Sequence, residues 1–323
     1  MPQNEFSYAK QHLRIPNKWS RCRRTLSPFT KVASGRTCVI LRSLRMADSK
    51  PRDVNNDKRR LSGREAEYSR VSVSSPKRIV LVLGSAPDAV QCRDWPKPSV
   101  SDIVAINNAW RLRDDWDYVV APDDFPSDRW PSSVTEHQRL VKSRDYVPAN
   151  NLFGGVFYAG GTMAFTAGYW ALATLRPTVM AFLGCDMVYS KTSQTHFYGN
   201  GTADPLRRDP SLRNLEAKSA RLMLHAHQMG CTCVRLSFGE SRLVFPSMSF
   251  KNLADKPPNT KGFYSPLFEA AKKREEDLGY FTASGKYWKA SGSYQAEEMD
   301  ALDQMWLTAA GIGNAALQPQ SVG

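Results

Sequence analysis

The sequence predicts an α/β protein of the Rossmann-like class, a mostly parallel sheet with helices on both faces, plus a C-terminal helical appendage. Short apolar runs of strand length alternate with stretches of helical periodicity across residues 77–247. The run Ile79–Leu83 is apolar at every position, which is typical of a central parallel strand that is covered on both faces. Several of the runs end in glycine, asparagine or aspartate, residues that favour turns.

The first half of the sheet is predicted from three apolar runs. These place strands at Ile79–Leu83, Asp102–Ile106 and residues 117–121. Residues 124–151 are predicted to be loop-like, with short helical pieces around residues 133–142. Residues 152–158 are predicted to form a further strand.

The second half of the predicted domain begins with a glycine turn. Gly160, Gly161 and Thr162 precede an apolar pattern of helical spacing that ends at Arg176 and Pro177, so a helix is predicted between these points. The remaining elements are predicted as a buried strand at 178–183, an amphipathic helix at 212–229 with Gly230 as its C-cap, and a last strand at 231–236.

The pattern changes after residue 247. A linker at 251–261 precedes two predicted helices, 266–278 and 294–310. The aromatic residues between them are expected to be packing residues: Tyr280, Phe281, Tyr287 and Trp288. The predicted divisions are a basic leader at 1–76, a Rossmann-like domain at 77–247, and a linker with a helical appendage at 248–323.

Most of the net charge of +13 lies in the first 76 residues, which hold 17 Lys and Arg against six Asp and Glu. The remainder carries only +2, so we expect no nucleic-acid binding by the folded part. The leader is predicted to be disordered. Its interpretations stay open: an arm for nucleic acid or anionic lipid, an organelle transit peptide, an inert tail, or a translation start at Met46 that removes residues 1–45.

The cysteines and the hydropathy of the sequence indicate where in the cell the protein is located. Six cysteines occur without a Cys-x-x-Cys pair, so neither a disulfide framework nor a zinc site is predicted, and a cytoplasmic location is expected. Cys231 and Cys233 alternate as in a strand and are expected to share one buried face. No run reaches the roughly 18 apolar residues of a membrane span, so no transmembrane segment is expected.

Small and polar residues follow the first two predicted strands, where an α/β sheet binds its ligands. Gly84, Ser85 and Ala86 would let backbone N–H groups approach a phosphate, although a plain tight turn uses the same residues. The absence of a Walker lysine from this turn argues against a P-loop NTPase. Asn107 could bond a base or ribose, or serve only as a turn residue.

The turn of Gly160, Gly161 and Thr162 is a second candidate for anion binding, since it opens a predicted helix. Its alternative role is structural, with Thr162 as the helix cap. Asp186 follows the buried strand at 178–183 and could accept hydrogen bonds from a ribose, or cap the loop.

The loop after Asp186 carries the candidate catalytic residues. His196 has a reference pKa close to neutral, which suits a general base. Tyr189 and Tyr198 could donate hydrogen bonds to a departing phosphate.

In their order and spacing, these motifs resemble the bacterial sialyltransferases that use CMP-sialic acid. They are also similar to prophage-encoded relatives and to the archaeal-type 6-hydroxymethylpterin pyrophosphokinases. The resemblance covers residues 79–246 and rests on five short motifs, at 83–87, 106–108, 161–162, 183–186 and 196–199.

The resemblance implies a role for each matching residue. Ser85 and Asn107 would lie near the nucleotide, and Thr162 with its flanking glycines near ribose and phosphate. The two tyrosines would contact the leaving phosphate, and His196 would take the proton of the acceptor hydroxyl. Such transferases need no catalytic metal, because donors from the protein stabilise the leaving CMP.

The chain departs from the family pattern at two positions. Ser85 stands where the sialyltransferase loop usually has asparagine, and Asp88 puts an acid near the expected phosphate. Residues 117–120 followed by Asp123 resemble the pyrophosphokinase branch instead, in which a carboxylate could hold Mg²⁺ on a triphosphate.

The expected function is therefore that of a sialyltransferase-like glycosyltransferase. It would move a sugar from a CMP-linked donor to a hydroxyl of a glycan or small-molecule acceptor, with no further cofactor. One alternative is a Mg²⁺-dependent pyrophosphokinase that uses Asp123, Asp124 and Asp186. Another is a non-catalytic nucleotide-binding or phage-associated protein. The sequence leaves the donor sugar, the acceptor and the oligomeric state open.

Overall fold

The structure confirms the Rossmann-like α/β fold. It is a computed structural model that describes residues 77–189, 194–200, 209–253, 265–290 and 294–312, all within the compact unit Ser72–Gly323. The strands are β1 (Ile79–Leu83), β2 (Asp102–Ile106), β3 (Tyr118–Val120), β4 (Arg139–Val141), β5 (Val179–Leu183) and β6 (Thr232–Arg235). They form one parallel sheet in the order β4-β3-β2-β1-β5-β6.

Helices cover both faces of this sheet, α-helices on one face and 3-10 helices on the other. The α-helices are α1 (Ser143–Asn151), α2 (Val156–Ala159), α3 (Met163–Leu175), α4 (Leu215–Gln228), α5 (Ser265–Leu278) and α6 (Ala296–Ala309). Alternate residues of β1 enter two different cores: Val80 and Val82 pack with α3, while Leu81 packs with the 3-10 helices Pro87–Asp94 and Asn107–Leu112. Burial of β1 on both faces explains why its sequence is continuously apolar.

Two predictions about residues 124–158 were wrong. The segment predicted as loop contains β4 and α1, and the segment predicted as strand is a turn followed by α2. Pro148 and the asparagines at the end of α1 are poor helix formers, but the buried Asn150 amide bonds the carbonyls of Tyr146 and Thr166 at 2.9 and 3.2 Å. The predicted strand is interrupted by Gly154 and Gly155, whose φ angles are 87° and 91°.

The C-terminal helices share a core with the sheet domain. Phe157 and Tyr158 of α2 and Leu224 of α4 pack with Phe268 of α5 and Trp306 of α6. This cluster places α5 and α6 against α2 and α4. The segment that follows α5 lies close to α1, with Gly285 beside Val147.

Two buried ion pairs cross the same interface. Arg221 of α4 binds both carboxylate oxygens of Glu275 in α5 at 2.7 Å. Lys218 of α4 binds Asp303 of α6 at 2.8 Å, with both side chains about 1% exposed. Charges removed from water in this way require their partners, so α5 and α6 are tied to α4.

Several side chains in this region are placed differently from the prediction. Tyr287 is buried and Tyr280 packs against the C-terminal cluster, but Phe281 and Trp288 are largely exposed. His225 of α4 is buried among aromatic rings, and burial lowers its pKa. Helical periodicity did not show this, because the rings that cover His225 come from distant parts of the chain.

Candidate active site

The sheet has a topological switch point between β1 and β5. From β1 the chain moves to β2 on one side, and from β5 it moves to β6 on the other. In open α/β sheets, ligands bind beyond the carboxyl ends of the strands at such a point. The turns after the two strands approach closely, and a Cβ atom at Gly84 would clash with the backbone of Gly184. Glycine at position 84 is therefore needed to bring the two turns together.

A cavity of about 120 Å³ lies at this position, and we name it the switch-point cavity. It brings together nine of the residues that the sequence suggested for a site: Gly84, Ser85, Ala86, Asn107, Thr162, Asp186, Tyr189, His196 and Tyr198. These residues come from turns that lie up to 114 positions apart in the chain, between Gly84 and Tyr198. Gly160 does not line the cavity, and Gly161 lines a different one.

Asn107 lines the switch-point cavity and carries a buried polar atom. Its φ angle is 51°, in the left-handed region that asparagine tolerates better than most residues. Its Oδ1 is buried and has no hydrogen-bond partner among the described residues. A buried amide oxygen without a partner costs free energy, and a ligand donor at this position would offset that cost.

The N-terminus of α3 faces the same cavity. Thr162 is its N-cap, and the Thr162 hydroxyl accepts a hydrogen bond from the Phe165 N–H at 3.3 Å. Met163 and Ala164, in the first turn, line the cavity. The first N–H groups of a helix of this length and its dipole favour an anion there.

Gly160 and Gly161 support this helix start from outside the cavity. The Gly161 N–H donates to the Ser211 hydroxyl at 3.0 Å, and Ser211 in turn donates to Asp209 at 2.6 Å. The Tyr287 hydroxyl donates to the second oxygen of Asp209 at 2.7 Å. The Gly161 N–H is therefore committed to a structural chain that reaches the C-terminal region.

The loop that carries His196 is fixed to the turn after β1. The Phe197 N–H donates to the Ser85 carbonyl at 2.9 Å, and His196 and Gly199 exchange backbone hydrogen bonds of 3.0 Å. The His196 ring stacks on Tyr198 at a centroid distance of 5.0 Å, with the Tyr189 ring 6.1 Å away. These contacts hold the imidazole beside both tyrosines.

His196 is in the neutral form that a general base requires. Its side chain is buried, and burial lowers its pKa from the ordinary value of 6.5, so the imidazole is neutral at pH 7. The Thr195 hydroxyl lies 2.9 Å from Nδ1. When Nδ1 carries the proton of the neutral ring and donates it to the Thr195 oxygen, Nε2 keeps a free lone pair, and this is the tautomer that a base acting through Nε2 requires.

Two carboxylates, those of Asp186 and Asp88, lie close enough to interact, and Asp186 lines the switch-point cavity. Burial, together with the charge of Asp88, raises the pKa of Asp186 to about 6. Burial also raises the pKa of Asp88, which contacts Ser237. Asp186 is therefore partly protonated near neutral pH and can donate or accept a hydrogen bond from a hydroxyl group.

We expect Asp186→Asn to stabilise the protein above pH 6. The folded-state pKa of about 6 exceeds the ordinary value of 3.8, so the unfolded chain releases its proton first and wild-type stability falls as pH rises between those values. At pH 7 the variant should be more stable by about 1–2 kcal/mol, reduced here for solvent screening. Urea unfolding at pH 4 and pH 7 measures this difference.

Asp123→Asn serves as the contrasting variant. Hydrogen bonds from Ser143 lower the pKa of Asp123, so its carboxylate stabilises the folded state above pH 4 and its removal should destabilise. Equal effects of the two substitutions at both pH values would contradict the assignment for Asp186.

The acids suggested for a metal site do not converge. Asp123 and Asp124 line a second cavity of about 620 Å³, whereas Asp186 lines the switch-point cavity. Across the described ranges, no group of three His, Cys, Asp or Glu side chains is placed to hold a metal ion.

Some lining residues were not suggested by the sequence. They are Ile106, Met163, Ala164, Gly184, Cys185 and Met187. Most are apolar neighbours of the suggested residues, so only their position next to a strand end could have indicated them. Burial raises the pKa of the Cys185 thiol, which keeps it protonated and unreactive.

The fold and the cavity define a class: a Rossmann-like α/β protein with a candidate ligand site at its switch point. Neither a family model, nor a curated protein, nor a solved structure matches the chain. Within the described residues, no helix has both the length and the apolar character needed to cross a membrane.

Proposed function

We propose that the protein is a sialyltransferase-like glycosyltransferase that transfers a sugar from a CMP-linked donor to an acceptor hydroxyl. The observation that carries the proposal is the convergence of His196, Tyr189, Tyr198, Thr162 and Asn107 on one cavity at the switch point. A neutral imidazole beside two phenols and a helix N-terminus provides a base and several donors to an anion.

In the proposed reaction, His196, the two tyrosines and the start of α3 each have a separate role. Nε2 of His196 takes the proton of the acceptor hydroxyl while that oxygen bonds to the anomeric carbon of the donor sugar. The bond from this carbon to the phosphate oxygen breaks, and its electron pair leaves with CMP. The phenols of Tyr189 and Tyr198 and the start of α3 stabilise the developing charge on the phosphate.

The size and charge of the cavity restrict how the donor binds. Its volume of about 120 Å³ suits a phosphate and a ribose, and the exposed Tyr198 marks the side toward which the rest of the donor extends. None of the described residues that line it is a lysine or an arginine. Donor binding should therefore depend on hydrogen bonds and the helix dipole, and respond weakly to salt.

We expect CMP to raise the melting temperature without added metal. A ligand that binds only the folded state adds about 2.7 kcal/mol at a hundredfold excess over Kd, which corresponds to about 5–10 °C here. Asn107→Gly keeps the left-handed backbone, removes the amide, and should reduce the shift. A thermal-shift panel of CMP, CDP, UDP and ATP, each with and without Mg²⁺, measures it.

The same panel tests the other candidates. A shift produced only by ATP with Mg²⁺ would favour the pyrophosphokinase, and no shift with any nucleotide would favour a non-catalytic protein. The cytoplasm remains the proposed location, since the four described cysteines are free thiols.

A further inference from the structure

The second cavity has the size of a ligand site and adjoins the first. Its volume of about 620 Å³ lies in the range of small-molecule pockets. Its walls come from the loop after β3, from α1, from the start of α3 and from segment 284–288. Met163 lines both cavities, while Gly161 and Thr162 line one each. A molecule in the second cavity therefore lies beside the contents of the first.

Two aromatic residues that line this cavity, Trp288 and Tyr146, have groups that a ligand could contact. Trp288 is 64% exposed, although tryptophan usually buries its ring. Tyr146 is only 8% exposed, and its hydroxyl makes no hydrogen bond to any of the described residues. Burial together with Asp123 and Asp124 raises the pKa of Tyr146 to about 12, so the phenol keeps its proton and can donate it. The Trp288 ring meets the Tyr287 ring at 5.3 Å in a T-shaped contact and remains largely exposed. A largely exposed indole and a phenol that line one cavity suit a molecule with an apolar face and hydroxyl groups, such as a sugar.

The charges of the lining favour one class of sugar. Among the described residues, three carboxylates line the cavity, from Asp123, Asp124 and Asp209, against one ammonium group, that of Lys286. Asp209 accepts hydrogen bonds from Tyr287 and Ser211, and Asp123 accepts them from Ser143. Asp124 is the carboxylate of the three that accepts no hydrogen bond from the described side chains. A net negative lining disfavours an anion and favours a neutral or cationic molecule.

We propose that the second cavity binds the acceptor, a neutral or positively charged sugar that packs on Trp288 and extends a hydroxyl past Met163 toward His196. The identification as an acceptor rests on the proposed transferase function. The identification as a sugar site rests on the cavity itself.

Binding of three matched sugars to the full chain without nucleotide tests the proposal. Glucose, glucosamine and glucuronate share one ring size and differ in charge, and calorimetric titration gives the affinity of each. We expect glucose and glucosamine to bind, and glucuronate to bind about tenfold more weakly. Trp288→Ala should weaken glucose binding by about tenfold, and Tyr146→Phe should weaken it to a smaller extent.

Phe238→Ala is the matched control, because Phe238 is a 70% exposed aromatic residue that lines neither cavity. It should leave glucose binding unchanged. Asp124→Asn should reduce the preference for glucosamine over glucuronate and leave glucose binding nearly unchanged.

The outcomes separate this inference from the proposed function. No binding of glucose or glucosamine, glucuronate bound as well as glucosamine, or no effect of Trp288→Ala and Tyr146→Phe would overturn the sugar site, even if CMP still raises the melting temperature. Sugar binding that depends on Trp288 in a protein that binds no nucleotide would support the sugar site and remove its role as an acceptor site.

Discussion

Replacing His196 with alanine is expected to lower sugar transfer by about 10²–10⁴-fold, the usual contribution of a positioned general base. The reason is that the neutral imidazole, held by its neighbours, would be the group that removes the acceptor proton. Turnover with CMP-sialic acid as donor and glucosamine as acceptor measures the loss. The CMP-induced shift in melting temperature should stay nearly the same, because the ring contacts the reacting hydroxyl rather than the nucleoside.

His137→Ala provides the control for a histidine substitution. The His137 side chain is 82% exposed and lines neither cavity. Turnover of this variant should match that of the wild type. If His196→Ala also keeps its turnover while CMP binds, His196 is not the base.

Replacing Glu275 with alanine is expected to destabilise the fold by about 3–5 kcal/mol, the cost of leaving a buried charge without its partner. Arg221 is fully buried and places its guanidinium against Glu275, the Tyr169 hydroxyl and the Phe153 carbonyl. The Trp306 indole N–H also donates to Glu275, at 2.9 Å. Urea unfolding with and without the substitution measures the difference.

An exposed pair on the same helix provides the comparison. Lys273 and Asp277 lie 2.9 Å apart on the surface of α5, where water and salt screen the attraction between exposed charges. Asp277→Ala should therefore have a small effect. The double substitution Arg221→Met with Glu275→Leu should recover much of the loss, because it removes both buried charges. A Glu275→Ala effect as small as that of Asp277→Ala would contradict the assigned role.

The sequence was sufficient to predict the centre of the sheet, because burial there leaves a simple pattern. The continuous apolar runs of β1 and β2 and the small-residue turn before α3 each appear in a few adjacent residues. The edge of the sheet at β4, and the helix α1 that follows it, were harder to predict. β4 has three residues, of which only Val141 is buried, and α1 contains Pro148, so neither produces a clear periodic signal.

The candidate site was likewise predictable only in part. Its polar residues follow strand ends, and a parallel sheet brings such positions to one edge, so Ser85, Asn107 and Asp186 could be suggested together. Gly161 looked like an anion ligand, but its N–H group is taken by Ser211, a residue 50 positions away. The second cavity could not be predicted, because it exists only where segment 284–288 lies against α1. That contact joins parts of the chain with no shared local pattern.

The hydrogen bonds from Tyr287 through Asp209 and Ser211 to Gly161 have a consequence for how the chain can be divided. A fragment that stops after β6 would keep every described residue that lines the switch-point cavity. It would lack Tyr287, whose phenol helps to hold the Gly160–Gly161 turn before α3. The C-terminal region therefore belongs to the scaffold of the candidate site, and we expect a protein shortened there to have an altered turn at the proposed phosphate position.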